Sequence, residues 1–231
     1  MNKFLHSLAR VPFVQKLALR ILRSRLVTKR RIRSYLKHTD SPKLQIGYGP
    51  YPLKGWLNTG ISLKEAYYGV YMDAGKPFPL PDESCEYVFS EHVFEHLTYP
   101  QAQNMLKESY RVLKPGGVIR IATPDLQFLM DLYQDPSKPL HKDYMEYSVK
   151  NRNMPPTPVY VISRFHTSWG HQIIYDKDTL FSFVQENGFK DLCFCKVGES
   201  SHPDLCGVES HFKFLPYDFD VLETMILEGT K

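Results

Sequence analysis

The sequence predicts a doubly wound α/β domain with a mostly parallel sheet, and three observations carry that prediction. Residues 85–125, CEYVFSEHVFEHLTYPQAQNMLKESYRVLKPGGVIRIATPD, read as strand, loop, helix, turn and strand, the connection that joins neighbouring parallel strands. Upstream, Lys43–Ile46 runs directly into Gly47-Tyr48-Gly49, where a strand would bring backbone close to a bound ligand. Val118, Ile119, Ile121 and Ala122 form a nearly continuous apolar run, the pattern of a strand covered on both faces.

Composition bounds the rest. A chain of 231 residues with 42% hydrophobic content is long enough for one well-buried domain and an extension. No run reaches the roughly 18 apolar residues of a membrane-spanning helix. Four cysteines, Cys85, Cys193, Cys195 and Cys206, are too few for a disulfide framework and imply a reducing, cytoplasmic setting.

Residues 1–40 are expected to be a basic helical extension, and residues 41–231 the α/β domain. The extension holds eleven Lys and Arg against the single acid Asp40. It is therefore +10, which leaves −6 for the remainder of a chain whose total is +4. An acidic body argues against a nucleic-acid partner. Leu5, Leu8, Val14, Leu17, Ile21 and Leu22 form a helical apolar stripe opposite the arginines, interrupted at Pro12. Such a stripe packs on the domain, or lets residues 1–36 lie on an anionic membrane surface; an Arg-rich, acid-poor start also fits a transit peptide.

Within the central stretch, Glu86–Phe89 reads as the strand. Thr98 and Pro100 then open a helix with apolar positions Ala102, Met105, Leu106, Tyr110 and Leu113. Lys114-Pro115-Gly116-Gly117 ends it, since proline cannot continue a helix and glycine permits a sharp turn. On a helical turn His92, Glu95 and His96 would share a face at i, i+3 and i+4, an arrangement able to hold a divalent metal, although the parallel-sheet context explains the segment without one. His96 suits a general base toward a substrate hydroxyl, because imidazole titrates near working pH. His92 is a further candidate, as is His166 in the later segment.

After a helix at 126–133, residues 135–176 form a long polar and aromatic segment with Tyr144, Tyr147, Tyr160, Arg164, His166, Trp169, His171 and Tyr175. It is expected to be a lid or substrate wall for a sugar or other hydroxylated small molecule. A further amphipathic helix ends at Gly188-Phe189. Cys193-Phe194-Cys195 falls in a probable strand, its thiols read as free and buried rather than as zinc ligands with His202 and Cys206. Residues 219–229 are expected to be the last strand.

The motif ESYRVLKPGGVIRIATPDL, preceded by SEHVFEHL, resembles the class I S-adenosylmethionine-dependent methyltransferases, in particular the small bacterial type found with polysaccharide-synthesis genes. The resemblance runs from about Lys43 to about Phe189, and implies a seven-stranded Rossmann-like methyltransferase sheet with Gly55–Gly60 as its second strand and Val70–Ala74 as its third. It implies S-adenosylmethionine as cofactor, lying along Ile46, Gly47, Tyr48, Gly49, Gly60, Ile61, Asp73, Ala74, Ser90 and Glu91. Asp73 and the Ala74 amide would meet the adenine. The chain departs from the family at Gly60, where an acid usually accepts both ribose hydroxyls; Glu65 or Ser62 is positioned to substitute.

The expected activity is methyl transfer to an oxygen of a sugar or small hydroxylated acceptor. Gly60 and the altered glycine loop motivate a rival, a methyltransferase-like binding or scaffold subunit without catalysis. A metal-dependent hydrolase built on His92, Glu95 and His96 is a third. Oligomeric state is not readable from the sequence.

Overall fold

The computed structural model describes residues 18, 20–150 and 152–231. Helix α1 (Arg25–Lys37) opens at Ser24, whose hydroxyl accepts from the Val27 amide. Its inner side buries Thr28 and Ile32. Arg31 donates to the Ala66 and Gly69 carbonyls at 2.6 Å, and the Tyr35 hydroxyl to those of Lys43 and Gly55. The basic extension thus packs on the domain over this half. The stripe at Leu5, Leu8, Val14 and Leu17 and the break at Pro12 lie outside the described residues.

The sheet is assembled from β1 (Lys43–Ile46), β2 (Leu57–Gly60), β3 (Val70–Tyr71), β4 (Cys85–Glu91), β5 (Leu113–Pro124), β6 (Lys190–Cys195) and β7 (Thr224–Thr230). Their order is β3-β2-β1-β4-β5-β7-β6. Strands β1 to β5 are mutually parallel, and β7 enters antiparallel between β5 and β6, so the sheet is mixed. Order reverses at β1, from which one neighbour leads toward β2 and the other toward β4. In open α/β sheets that crevice, at the carboxyl ends of the strands, is where ligands bind.

Between strands run α2 (Leu63–Tyr68), α3 (Tyr99–Val112), α4 (Leu126–Gln134), α5 (Pro139–Val149), α6 (Pro158–Thr167), α7 (Lys177–Glu186) and α8 (Tyr217–Glu223). Helix α3 starts at Thr98 as its sequence signals require, and buries Ala102, Met105, Leu106, Ser109 and Val112. Strand alternation sorts side chains to two cores. Ile119, Ile121, Met225 and Leu227 join α3 and α7 on one face. Phe89, Val118, Ala122 and Ile226 meet Trp56, Val197, Leu205 and Val208 on the other.

Three expectations change. The 135–176 segment contains α5 and α6, which build a third core with Phe128, Leu132, Tyr144, Phe165 and Phe219. Pro139 and Pro158 each stand in the first helical turn, where a missing N–H costs nothing. The span 219–229 divides between α8 and β7. Finally, β6 is the sheet edge, so the Cys193 thiol is exposed and Cys195 half-buried; Cys206, beyond β6, is exposed too, and only Cys85 is buried.

Candidate active site

Strands β1 and β2 end side by side, with Ile46 opposite Thr59. The chain leaving β1 turns through Gly47 and Gly49, both left-handed, with φ +66° and +54°. A Cβ on Gly47 would overlap Val93 just beyond β4, whereas one on Gly49 would meet open space. The loop after β2 folds back as a capping box, with Ser62 bonded to the Glu65 amide and the Glu65 carboxylate to the Ser62 amide at 2.8 Å. The other Glu65 oxygen accepts the Gly49 amide at 3.1 Å. A Cβ built on Gly60 would overlap the Glu65 carboxyl group. Glu65 therefore fills the place an acid at position 60 would occupy. Two of its roughly four acceptor sites are used, leaving two toward solvent.

Beyond the ends of β4 and β5 lies a cavity of about 860 Å³. Its walls include His92, Glu95, His96, Tyr144, Arg164, Phe165, Trp169, His171, His211, Phe214 and Glu223. His92 follows β4 in a left-handed conformation, φ +49°, and only Phe94–His96 form a short 3₁₀ turn. The helical face expected to group His92, Glu95 and His96 is consequently not formed. Instead His92 Nδ1 lies 3.0 Å from Glu95, whose second oxygen accepts from the Thr123 hydroxyl. The His96 ring meets His171 edge-on at 4.8 Å. Ligand atoms capable of holding a metal come together as Glu95–His96–His171 and as His92–His211–Asp220.

Burial disfavours the His92 imidazolium, but the hydrogen bond and charge of Glu95, with Glu223 and Glu91, outweigh it and raise the group to about 9. At neutral pH His92 is protonated, and so cannot take a proton. His171 moves the other way. Burial depresses its pKa, with Glu95 opposing to a smaller extent and the His96 charge adding to the depression, so it is neutral at pH 7. Its Nδ1 lies 2.7 Å from the Phe165 carbonyl, which can only accept; Nδ1 carries the hydrogen and Nε2 keeps a free lone pair.

The remaining sequence candidates separate into groups. Gly47, Gly49 and Gly60 meet at the crevice, with Tyr48 buried beside them and its hydroxyl on the Glu65 carbonyl. Ile61 is 58% exposed just past β2. Asp73 follows β3 and accepts from the Gly75 amide, while Ile46, Ala74 and Ser90 are buried in the core. Glu91 is turned away from the crevice. Its carboxylate is saturated by the Ser210 amide and hydroxyl and the His211 amide, which hold the 210–211 turn against β4. His166 is exposed on α6 and lies outside the cavity wall. His171 and His211 line the cavity instead, brought together by the fold from separate segments of the chain.

Residues 62–121 match a family model described as methyltransferase domain. Over 63 residues the chain is 41% identical to a probable S-adenosylmethionine-dependent methyltransferase of Mycolicibacterium smegmatis; that match covers 27% of this chain and 24% of the relative, so the chain spans about a quarter of the curated protein. Among solved structures, a SAM-dependent methyltransferase from Archaeoglobus fulgidus is 18% identical with a TM-score of 0.49, covering 90% of this chain and 95% of that one. A phosphoethanolamine N-methyltransferase of Haemonchus contortus, in complex with S-adenosyl-L-methionine, is 15% identical with a TM-score of 0.43, covering 97% of this chain and 59% of that one.

Proposed function

We propose that the chain is an S-adenosylmethionine-dependent methyltransferase acting on an oxygen of a sugar or other small hydroxylated acceptor. The observation that carries this reading is the Glu65 carboxylate, which stands in the gap left by Gly60 with acceptor capacity to spare, in a chain whose residues 62–121 match a methyltransferase domain. Its donor set fits the cofactor. Glu65 would accept the two ribose hydroxyls, Gly47 and Gly49 would admit the amino-acid end to the backbone, and Asp73 would accept the exocyclic amine of adenine. When bound, S-adenosylmethionine supplies an electrophilic methyl group on a sulfonium.

The cavity next to that crevice has the aromatic walls and convergent polar groups of a small-molecule site. Its residues hold the acceptor, shut out water and align the attacking oxygen. His171 Nε2 is the proton acceptor, with His96 beside it. His92, fixed as a cation by Glu95, steadies the wall and the Glu95 carboxylate rather than moving a proton. Glu65 in that place speaks against one of the two motives for the scaffold reading, the missing acid, and leaves the altered glycine loop as the other.

Activity is expected to follow a bell in pH. It falls on the acid side as His171 protonates, below the ordinary histidine value of about 6.5. It falls again on the alkaline side, because a raised pKa stabilises the fold only while the proton is held, and His92 loses its proton near 9. His171→Asn should lower kcat by roughly a hundredfold or more and abolish the acid limb, while leaving S-adenosylhomocysteine binding intact. Transfer of labelled methyl to a panel of sugars across pH checks both. An unchanged acid limb in His171→Asn would remove His171 from the role.

A further inference from the structure

We infer that the acceptor carries an anionic group, a phosphate or a carboxylate, seated on the cavity wall made by Lys150, Arg152 and Arg164. This rests on the methyl-transfer reading and names the substrate class of the same site. The three cations converge from the end of α5 and from α6 onto one cavity. Among the described residues none of them has a carboxylate within ion-pair distance. The two acids of the same cavity are already committed. Glu95 is held by His92 and Thr123, and Glu223 by His211 and the Tyr144 hydroxyl.

Arg164 is the best-formed part of this wall. Its guanidinium donates to the Ser148 carbonyl and lies over the Trp169 ring at 4.8 Å, which fixes its plane. Its Nε is buried and has no hydrogen-bond partner, an unmet donor of the kind a ligand oxygen satisfies. Burial and the neighbouring Arg152 charge together depress Arg164, so the two guanidinium groups repel one another across the wall. Like charges gathered on one wall without an ion-paired carboxylate are a cost to the free protein that the more distant Glu223 offsets only in part, and an anion reduces it. A guanidinium also matches the two oxygens of phosphate or carboxylate in one plane. A neutral sugar hydroxyl could accept from the Nε but would leave the charge unmatched.

Calorimetry on the full chain tests this, first with S-adenosylhomocysteine and then, on the saturated protein, with glucose 6-phosphate, glucuronate and glucose as probes. Failure of the first titration sinks the methyl-transfer reading by itself. In the second, at least one of the two anionic probes should bind tenfold or more tightly than glucose, and the one preferred distinguishes phosphate from carboxylate. Arg164→Gln should remove that preference while leaving S-adenosylhomocysteine affinity unchanged. If Arg164→Gln does not fold, the double variant Lys150→Gln, Arg152→Gln, at exposed positions, should reduce the preference by roughly tenfold. Saturable S-adenosylhomocysteine binding together with equal affinity for glucose and both anionic probes would overturn the inference and leave methyl transfer standing.

Discussion

Arg120→Met should lower stability by about 3–5 kcal/mol, the cost of leaving buried charges without their partner. Arg120 is fully buried at the centre of β5. Its Nε donates to Glu209 and its Nη1 to Glu228, each at 2.5 Å, and Nη1 also reaches the Glu199 carbonyl. Glu228 is its direct cross-strand partner on β7. Glu209 stands on the irregular segment that covers this face of the sheet, and its other oxygen accepts the Gly198 amide at 3.0 Å. The side chain therefore ties the 196–209 segment to the sheet, and that segment leads into His211 and Phe214 of the cavity wall. Truncation would strand two carboxylates in the core. At about 2–4 °C per kcal/mol for a chain of this size, the thermal midpoint should drop by on the order of 10 °C. Adding Glu209→Gln and Glu228→Gln should recover much of the loss, because neutral amides need no counter-charge. A single variant within about 1 kcal/mol of the parent would show that the pair charges are solvated.

Gly60→Asp, which would place an acid where the methyltransferase resemblance expects one, should weaken S-adenosylhomocysteine binding by roughly tenfold or more instead of strengthening it. Any side chain at 60 overlaps the Glu65 carboxyl group, and its backbone is not the obstacle, since it is not left-handed. The new carboxylate would expel Glu65 from the Gly49 and Ser62 amides, and two negative charges would compete for one place. Hydrogen bonds to a charged group are worth about 1.5–3 kcal/mol, which corresponds to roughly ten- to a hundredfold in affinity. Gly60→Asp combined with Glu65→Ala frees the space and should return much of that affinity. A tighter-binding single variant would mean that Glu65 does not stand in for the missing acid.

How far each part was legible follows from the range of the interaction that makes it. The capping signals of α3, the glycine turn at 116–117 and the apolar run of β5 are local, and the strand-helix-strand unit read from them is present. Gly116 has φ +77°, but the helix has already ended at Val112 and residues 114–117 lie inside β5, so the expected turn is an irregularity within the strand opposite Cys85–Tyr87. The sequence also left Glu65 or Ser62 as candidates for the missing acid, because both follow β2 closely; the capping box then sets Glu65 in the gap at Gly60. Partnerships across long separations were not legible. His92 was a base candidate, but the left-handed turn after β4 sets it against Glu95, and the distant Glu223 adds to the charge that keeps it protonated. Glu91 read as a cofactor contact, yet it is claimed by residues 119 and 120 positions later. His166, one of the base candidates beside His96 and His92, is exposed in the last turn of α6, whereas the chain leaving that helix brings His171 back to His96.

The central claim is that the Glu65 carboxylate and the glycine loop form an S-adenosylmethionine site. Calorimetric titration of the full chain with S-adenosylhomocysteine, beside Glu65→Gln, tests it most directly. The account predicts saturable binding to one site in the parent, weakened roughly ten- to a hundredfold in a Glu65→Gln protein whose fold is unchanged. Absence of binding by the parent at millimolar ligand would contradict the account and return the chain to a methyltransferase-like scaffold.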